Sequence, residues 1–469
     1  MINMTKNFPV LPVLLSLLLT GCTVGPNYKR PQVNTPTVYR GLTPDQAANN
    51  DPTSIGDQKW FEVFQDEQLK DLIKTALQQN YDVRRAASRI LQAQASLGIT
   101  RSNQFPTING VAAGTNQRTA QQKVIPAIET DATQIGGTFD WEIDFWGKFR
   151  RATEAARASL AASEWAQREI ISELVANVAG GYFTLRALDL QLDISRRTLA
   201  SRQDSLRLTQ LLANGGSTSL LDVRQAEQLV FTAGSEIPSL EQQIEQQENF
   251  ISILLGNNPG PITRGRVLTD QPHAPTVPAG LPSSLLERRP DVRQAEQQLV
   301  AFNAQIGVAR SLYFPQITLT ADAGYQSSAL TGLFQGPAGF WSFGSNLTQP
   351  IFTAGRLKSN VRLAEAQQQE AVLFYQETIQ GAFRDVADGL IAYRKTQEFS
   401  EQQRQLVDSA QDATRLSHLR YNGGATSYLE VLTNDTNYFT AELGLVQARL
   451  NELLALVQLY KGLGGGWQL

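Results

Sequence analysis

The chain has 469 residues but only one cysteine, two histidines and two methionines, too few for a disulfide scaffold or a Cys/His metal site. Its 41 basic and 44 acidic residues give a formal charge of −3 with no run of like charge, which argues against nucleic acid as a partner. No nucleophile elbow, phosphate loop or metal cluster marks an enzyme or calls for a cofactor, and no stretch approaches the ~20 consecutive apolar residues of a spanning helix.

Residues 1–21 read as a secretory signal: Lys6 gives a positive start and Val10 to Leu19 a short apolar run. Leu19-Thr20-Gly21-Cys22 resembles the bacterial lipoprotein box, which makes Cys22 the expected site of S-diacylglycerol and N-acyl attachment. Each buried methylene contributes ~0.8 kcal/mol, so such an anchor is permanent. By the lipoprotein sorting pattern, Thr23 after the cysteine points to the outer membrane. Residues 22–59 are then a lipidated, extended segment.

The rest is a duplication. Residues 82–106 align without a gap onto 291–315, with ten of twenty-five positions identical, among them Asp82, Gly98, Phe105 and Pro106. A second block sets Asn214-Gly-Gly-Ser-Thr-Ser against Asn422-Gly-Gly-Ala-Thr-Ser. The spacing predicts one repeat over 60–255, a Pro-rich linker over 256–284, a second repeat over 285–462 and a tail over 463–469.

Each repeat reads as helix, two strands, long helix, turn, helix. Helical composition runs from Trp60 to Arg101 and stops at Phe105-Pro106. A period of two follows: Ile135, Gly137, Phe139, Trp141 and Ile143 alternate with polar residues between Thr133 and Trp146. The second copy repeats it from Ile317 to Gln326 and from Trp341 to Thr348, so the strands fall at about 106–146 and 315–351. Residues 149–213 and 357–421 lack proline; 65 helical residues extend about 98 Å. Leu185, Leu192, Leu199 and Leu206 keep a heptad, as do Ile237, Ile244 and Ile251, with Arg202 and Gln247 interrupting the companion positions. Gly181 and Gly389 mark close packing or a kink. Asn-Gly-Gly ends one helix at each tip, and Thr-Ser caps the next.

Strands of about eleven residues with aromatic ends suit a tilted membrane crossing. Backbone groups in hydrocarbon must all be paired, so such a sheet has to close. Four strands cannot; three chains giving twelve is the simplest even count.

The quoted residues converge on a family. The chain resembles the outer-membrane efflux, or TolC-like, proteins, in particular the lipoprotein subgroup serving tripartite resistance-nodulation-division pumps. The resemblance rests on Cys22-Thr-Val-Gly-Pro-Asn-Tyr-Lys-Arg-Pro31, the Phe-Pro turns at 105 and 314, Arg289-Pro290-Asp291-Val292, the two tips, and the ending Leu459 to Trp467. It implies a mixed α and β membrane protein: a trimeric 12-stranded outer-membrane β-barrel continuing into a periplasmic α-helical coiled-coil barrel. It further implies a homotrimer working as a passive exit duct in outer-membrane lipid, joined to a periplasmic adaptor and an inner-membrane proton-driven pump. The tips Asn214, Gly215, Gly216, Ser217, Thr218 and Asn422, Gly423, Gly424, Ala425, Thr426 would dock the adaptor. The periplasmic gate would involve Tyr421, Leu429 and Thr433. The family commonly has Asp at the last position, so Glu430 or Asp435 are the alternative acids. Even strand positions would face the lumen, placing Asp140, Glu142, Asp144 and Asp322 there. The competing functions are the exit duct of a type I protein secretion system and a lipid-anchored periplasmic coiled-coil scaffold.

Overall fold

A computed structural model of the chain describes residues 23–42, 52–121, 123–124, 126–272 and 277–468. Cys22 and the signal segment lie outside the described residues. In chain order the elements are α1 (Trp60–Val63), α2 (Glu67–Gln79), α3 (Tyr81–Ser102), β1 (Thr107–Arg118), β2 (Glu129–Ile143), α4 (Lys148–Asn214) and α5 (Leu220–Leu254). The second half supplies α6 (Pro282–Arg288), α7 (Pro290–Ser311), β3 (Gln316–Ser327), β4 (Gly339–Thr348), α8 (Arg356–Asn422) and α9 (Tyr428–Gly462). The chain divides into two compact units.

The first unit holds the described residues within 23–32, 89–164 and 294–376. Its centre is a four-stranded sheet in the order β1-β2-β3-β4, antiparallel throughout. A strap from Thr23 to Arg30 packs against the start of α4 and against α7. Val24 N–H donates to the Trp146 carbonyl at 3.1 Å, and Arg151 donates to the carbonyls of Val24 (3.2 Å) and Gly25 (3.3 Å) and to Asn27 Oδ1 (2.7 Å). Arg30 closes a two-pronged pair on Glu296 at 2.5 and 2.6 Å, the geometry in which Arg binds carboxylate most strongly. Gly25 takes a φ of +99°, and a Cβ there would lie 2.5 Å from the Gly307 Cα. Two glycines therefore let the strap cross α7 in backbone contact.

The second unit holds the described residues within 33–88, 165–293 and 377–468. Its four long helical arms pack through Val178, Tyr182, Leu185, Ile251, Ile379, Val386, Leu453 and Leu459, all buried. Gly181 and Gly389 are close-packing positions. A Cβ at Gly389 would meet the Leu459 Cα at 3.2 Å, and one at Gly181 would meet Gln247 and Phe250 at 3.2 Å. Gln247, which breaks the heptad, donates to the Gly181 carbonyl at 2.9 Å.

The segment from Trp60 to Arg101, expected as one helix, is three. The first break is made by Asp66, which caps α2 by accepting from Gln68 N–H at 3.0 Å. Its other oxygen accepts from Tyr182 Oη (2.9 Å), Arg266 N–H (3.0 Å) and Gln271 Nε2 (2.7 Å). Burial pushes this carboxyl up, but the bonds from Gln271, Tyr182, Arg266 and Gln68 outweigh it and hold it below the usual carboxylate range. At the second break Asn80 Oδ1 accepts from the N–H of Asp82 (2.8 Å) and Val83 (3.2 Å). The Pro-rich linker is tied down as well: Arg264 bonds Asp189 at 3.2 Å and also Glu248, and Leu268 is fully buried.

One expected strand residue lies elsewhere. β2 ends at Ile143, so Asp144 is not on the sheet. Its carboxylate caps α4, accepting from Phe149 N–H (3.1 Å) and Arg150 N–H (2.8 Å) and pairing with Arg150 Nε at 3.3 Å. A negative charge at the positive end of a helix is the favourable arrangement.

Candidate channel wall and hairpin turns

The pairing register sorts the sheet into two faces. Ile108, Gly110 and Ala112 of β1 neighbour Phe139, Gly137 and Ile135 of β2, which neighbour Ala321, Ala323 and Tyr325 of β3, and these neighbour Phe343, Trp341 and Gly339 of β4. This face is apolar. The opposite face carries Asn109, Thr138, Asp140, Glu142, Thr318, Thr320, Asp322, Ser342 and Asn346. On β2 the apolar run spans nine residues, Ile135 to Ile143, about the length a tilted strand uses to cross a bilayer. Beyond it the same face turns polar, with Asn116 opposite Asp131 and Arg118 opposite Glu129.

Glycines show which way the sheet bends. Gly136 and Gly324 are partners on the polar face. A Cβ at Gly136 would lie 2.5 Å from the Ala323 carbonyl oxygen, and one at Gly324 would lie 2.2 Å from that of Ile135. On the apolar face Gly110 and Gly114 have nothing within 4 Å, and Gly137 meets the Asn109 carbonyl oxygen only at 3.6 Å, an ordinary contact. Backbone crowds only on the polar side, as it does where glycine kinks curve a sheet, so the polar face is the concave one. Two of the acids there are engaged: Glu142 pairs with Lys148 at 2.8 Å and Asp322 accepts from Ser342 at 3.0 Å.

The two hairpin turns have one backbone design. In the first, N–H groups of Gly215, Gly216 and Ser217 donate to the carbonyls of Leu211 (3.1 Å), Ala213 (3.0 Å) and Leu212 (2.8 Å). In the second, Gly423, Gly424 and Ala425 donate to Leu419 (3.1 Å), Tyr421 (2.9 Å) and Arg420 (2.8 Å). Gly216 (φ +76°) and Gly424 (φ +68°) occupy the left-handed region that closes a helix.

Their locks differ. At the first turn Ser219 and Asp222 make a reciprocal capping box, at 3.3 and 3.0 Å, which Thr218 reinforces through its bond to Asp222. That bond, the carboxyl's main influence, holds Asp222 below its usual range. At the second turn Ser427 sits at the cap position without a side-chain cap bond. Glu430 takes over, bonded by Thr426 and paired with Arg420 at 2.8 Å.

Behind the second turn, Tyr421 and Tyr428 stand 5.3 Å apart, ring centre to ring centre, in a cluster with Ala226, Val431 and Leu206. Leu429 is 60% exposed and Thr433, one helical turn on, is exposed too, its hydroxyl donating to the Leu429 carbonyl at 2.9 Å. The two share one outward strip of α9. Asp435 does not join it: its carboxylate meets His418 Nε2 of α8 at 2.9 Å. His418, isolated in the sequence, thus has a partner, and that hydrogen bond raises its pKa against the opposing effect of burial. Arg202, which interrupts the heptad, is buried at 4% exposure. It donates to the Leu229 carbonyl at 2.9 Å and stacks over Phe439 at 4.9 Å. Among the described residues no group of acidic, Cys or His side chains could hold a metal ion.

A two-faced sheet, polar where it is concave and apolar over a membrane's depth, with both edges open, is a portion of a membrane-spanning barrel. This is a channel subunit. The chain matches the outer membrane efflux protein family over residues 72–257 and 281–465, and it belongs to that family. It is 38% identical over 474 residues to the toluene efflux pump outer membrane protein TtgF of Pseudomonas putida, covering 97% of this chain and 96% of the relative. It is 34% identical over 464 residues to the cation efflux system protein CusC of Escherichia coli, covering 98% and 99%. The solved open state of the Neisseria gonorrhoeae MtrE outer membrane channel superposes with a TM-score of 0.87 at 30% identity, covering 95% of this chain and 99% of that one. The protein is an outer-membrane efflux protein of the Gram-negative type.

Proposed function

We propose that three copies close a twelve-stranded barrel whose polar, concave faces line the exit and whose apolar faces meet lipid. The observation that carries this is the coincidence of polarity with curvature at Gly136 and Gly324. Cys22 anchors each copy in the outer membrane. The long helices form the periplasmic part of the duct, and the turns at 214–218 and 422–426 dock a periplasmic adaptor that links it to a proton-driven inner-membrane pump. Leu429 and Thr433 line the narrow inner end, with Tyr421 holding its helices together. Glu430 and Asp435 act there through Arg420 and His418 and do not form a free acidic ring. Relatives named for toluene and for cation efflux make small toxic molecules the natural cargo.

Accumulation of a fluorescent cationic dye tests the reading in cells lacking the protein, cells carrying it and cells carrying Gly424→Asp. Dye should build up in the first and third only. Equal dye in all three, with a changed set of secreted proteins in the deletion, would favour a secretion duct instead.

A further inference from the structure

The halves of the sheet repeat in register as well as in sequence. β1 maps onto β3 through Ile108 and Ile317, Ala112 and Ala321, Gln117 and Gln326. β2 maps onto β4 through Gly136 and Gly344 and, past the strands, through Ile143 and Ile351, then Gly147 and Gly355. The last two share a left-handed φ, 80° and 84°, and each directly precedes a helix of 67 residues. Under these correspondences Thr107 opposite Asp140 becomes Gln316 opposite Thr348, which is the pairing present in the second half. A slip of one residue would have turned every side chain to the other face.

The pairing of β2 with β3 is the junction between halves. Carried through the same correspondences it becomes a junction between β4 and the β1 of a neighbouring copy. From this we infer the register of the subunit seam: Trp341 opposite Arg118, Ser342 opposite Gln117, Asn346 opposite Ala113 and Thr348 opposite Val111 of the next chain. The inference rests on the channel reading above and adds to it the residues that meet. Both faces are preserved across the seam, since Ser342, Gly344 and Asn346 fall beside Gln117, Thr115 and Ala113. Trp341, 81% exposed in the single chain, gains the guanidinium of Arg118 as a cation–π neighbour.

The two kinds of junction are not equivalent. Within the chain Trp146 stacks on Phe314 at 4.6 Å and donates to the Pro315 carbonyl at 2.8 Å. The strap adds its contact at Gly307. At the seam the corresponding residues are Ala354 and Phe105, and Gly98 takes the place of Gly307. Phe105 is exposed and Gly98 has nothing within 4 Å. The seam therefore has an alanine where the junction within the chain has its indole.

Cysteine pairs in the full-length, membrane-expressed protein test this, because paired strands place Cα atoms ~4.5–5.5 Å apart, within disulfide reach. Asn346→Cys with Ala113→Cys, and separately Ser342→Cys with Gln117→Cys, are expected to convert the denatured, unreduced chain from monomer to covalent trimer on oxidation. Asn346→Cys with Thr115→Cys is displaced ~7 Å along the strand and should stay monomeric. Preferential cross-linking of that displaced pair overturns the register. So does failure of both in-register pairs in a protein whose native mass is that of a trimer. A native mass of one chain would instead remove the channel reading beneath it.

Discussion

The two hairpin turns follow the same backbone path and share a threonine bonded to the acid four residues on, Thr218 to Asp222 and Thr426 to Glu430; the rest of their side-chain locks differ. The first is locked within five residues by Ser219, Asp222 and Thr218. The second adds ties between helices to its local Thr426–Glu430 bond, Arg420 with Glu430 and His418 with Asp435. Duplication copied the left-handed glycine, its carbonyl bonds and the threonine–acid bond, and left the remaining side chains free to diverge. A self-contained cap holds its turn whatever the neighbouring helices do. A lock that spans α8 and α9 holds only while those helices keep their register, which suits the hairpin that also carries Leu429 and Thr433.

The largest effect should be one the turns share. Gly216→Val and Gly424→Val each force a branched residue into the left-handed region, at about 1–2 kcal/mol apiece. Hydrogen exchange of the turn amides should rise by similar amounts in both, and a clear inequality would break the claim of a common backbone design.

The cap comes next, and here the turns should part. Ser219→Ala should cost about 1 kcal/mol of local stability, whereas Ser427→Ala, which removes no side-chain cap bond, should leave exchange at 420–432 unchanged.

pH gives the smallest effect and the sharpest contrast. Asp222 is held below its usual range by Thr218, so its contribution is present above the ordinary carboxylate pKa and is lost as pH falls through the depressed value. His418 is raised by Asp435, with burial opposing; its contribution is complete below 6.5 and is lost as pH rises through the elevated value. The first turn should loosen in acid and the second toward alkaline pH. Being partly exposed, the His418 pair should be worth no more than about 1 kcal/mol. His418→Gln should flatten the alkaline limb alone, and an unchanged limb would remove His418 from the lock.

Short-range pattern made much of this legible in the chain itself. The alternation from Ile135 to Ile143 is a strand's own period, and the proline-free runs before Asn214 and Asn422 are helices by composition. Asp144 reads as a strand residue because alternation continues past Ile143 into residues that cap α4, and a cap looks like one more polar strand position. The break at Asn80 depends partly on a bond from its Nδ2 to the Leu254 carbonyl at 2.9 Å, 174 residues away. His418 and Asp435 meet only through the register between two helices, which no single-helix periodicity contains. The glycines at 136 and 324 are set opposite each other only by the pairing of β2 with β3.

The central claim is that the concave, polar face of the sheet lines the duct. Thr138 and Phe139 are adjacent on β2 and point to opposite faces, so Thr138→Cys and Phe139→Cys form a matched pair for a charged, water-soluble thiol reagent applied during planar-bilayer recording. Conductance should fall rapidly for Thr138→Cys and not at all for Phe139→Cys; the reverse pattern would place the polar face against lipid.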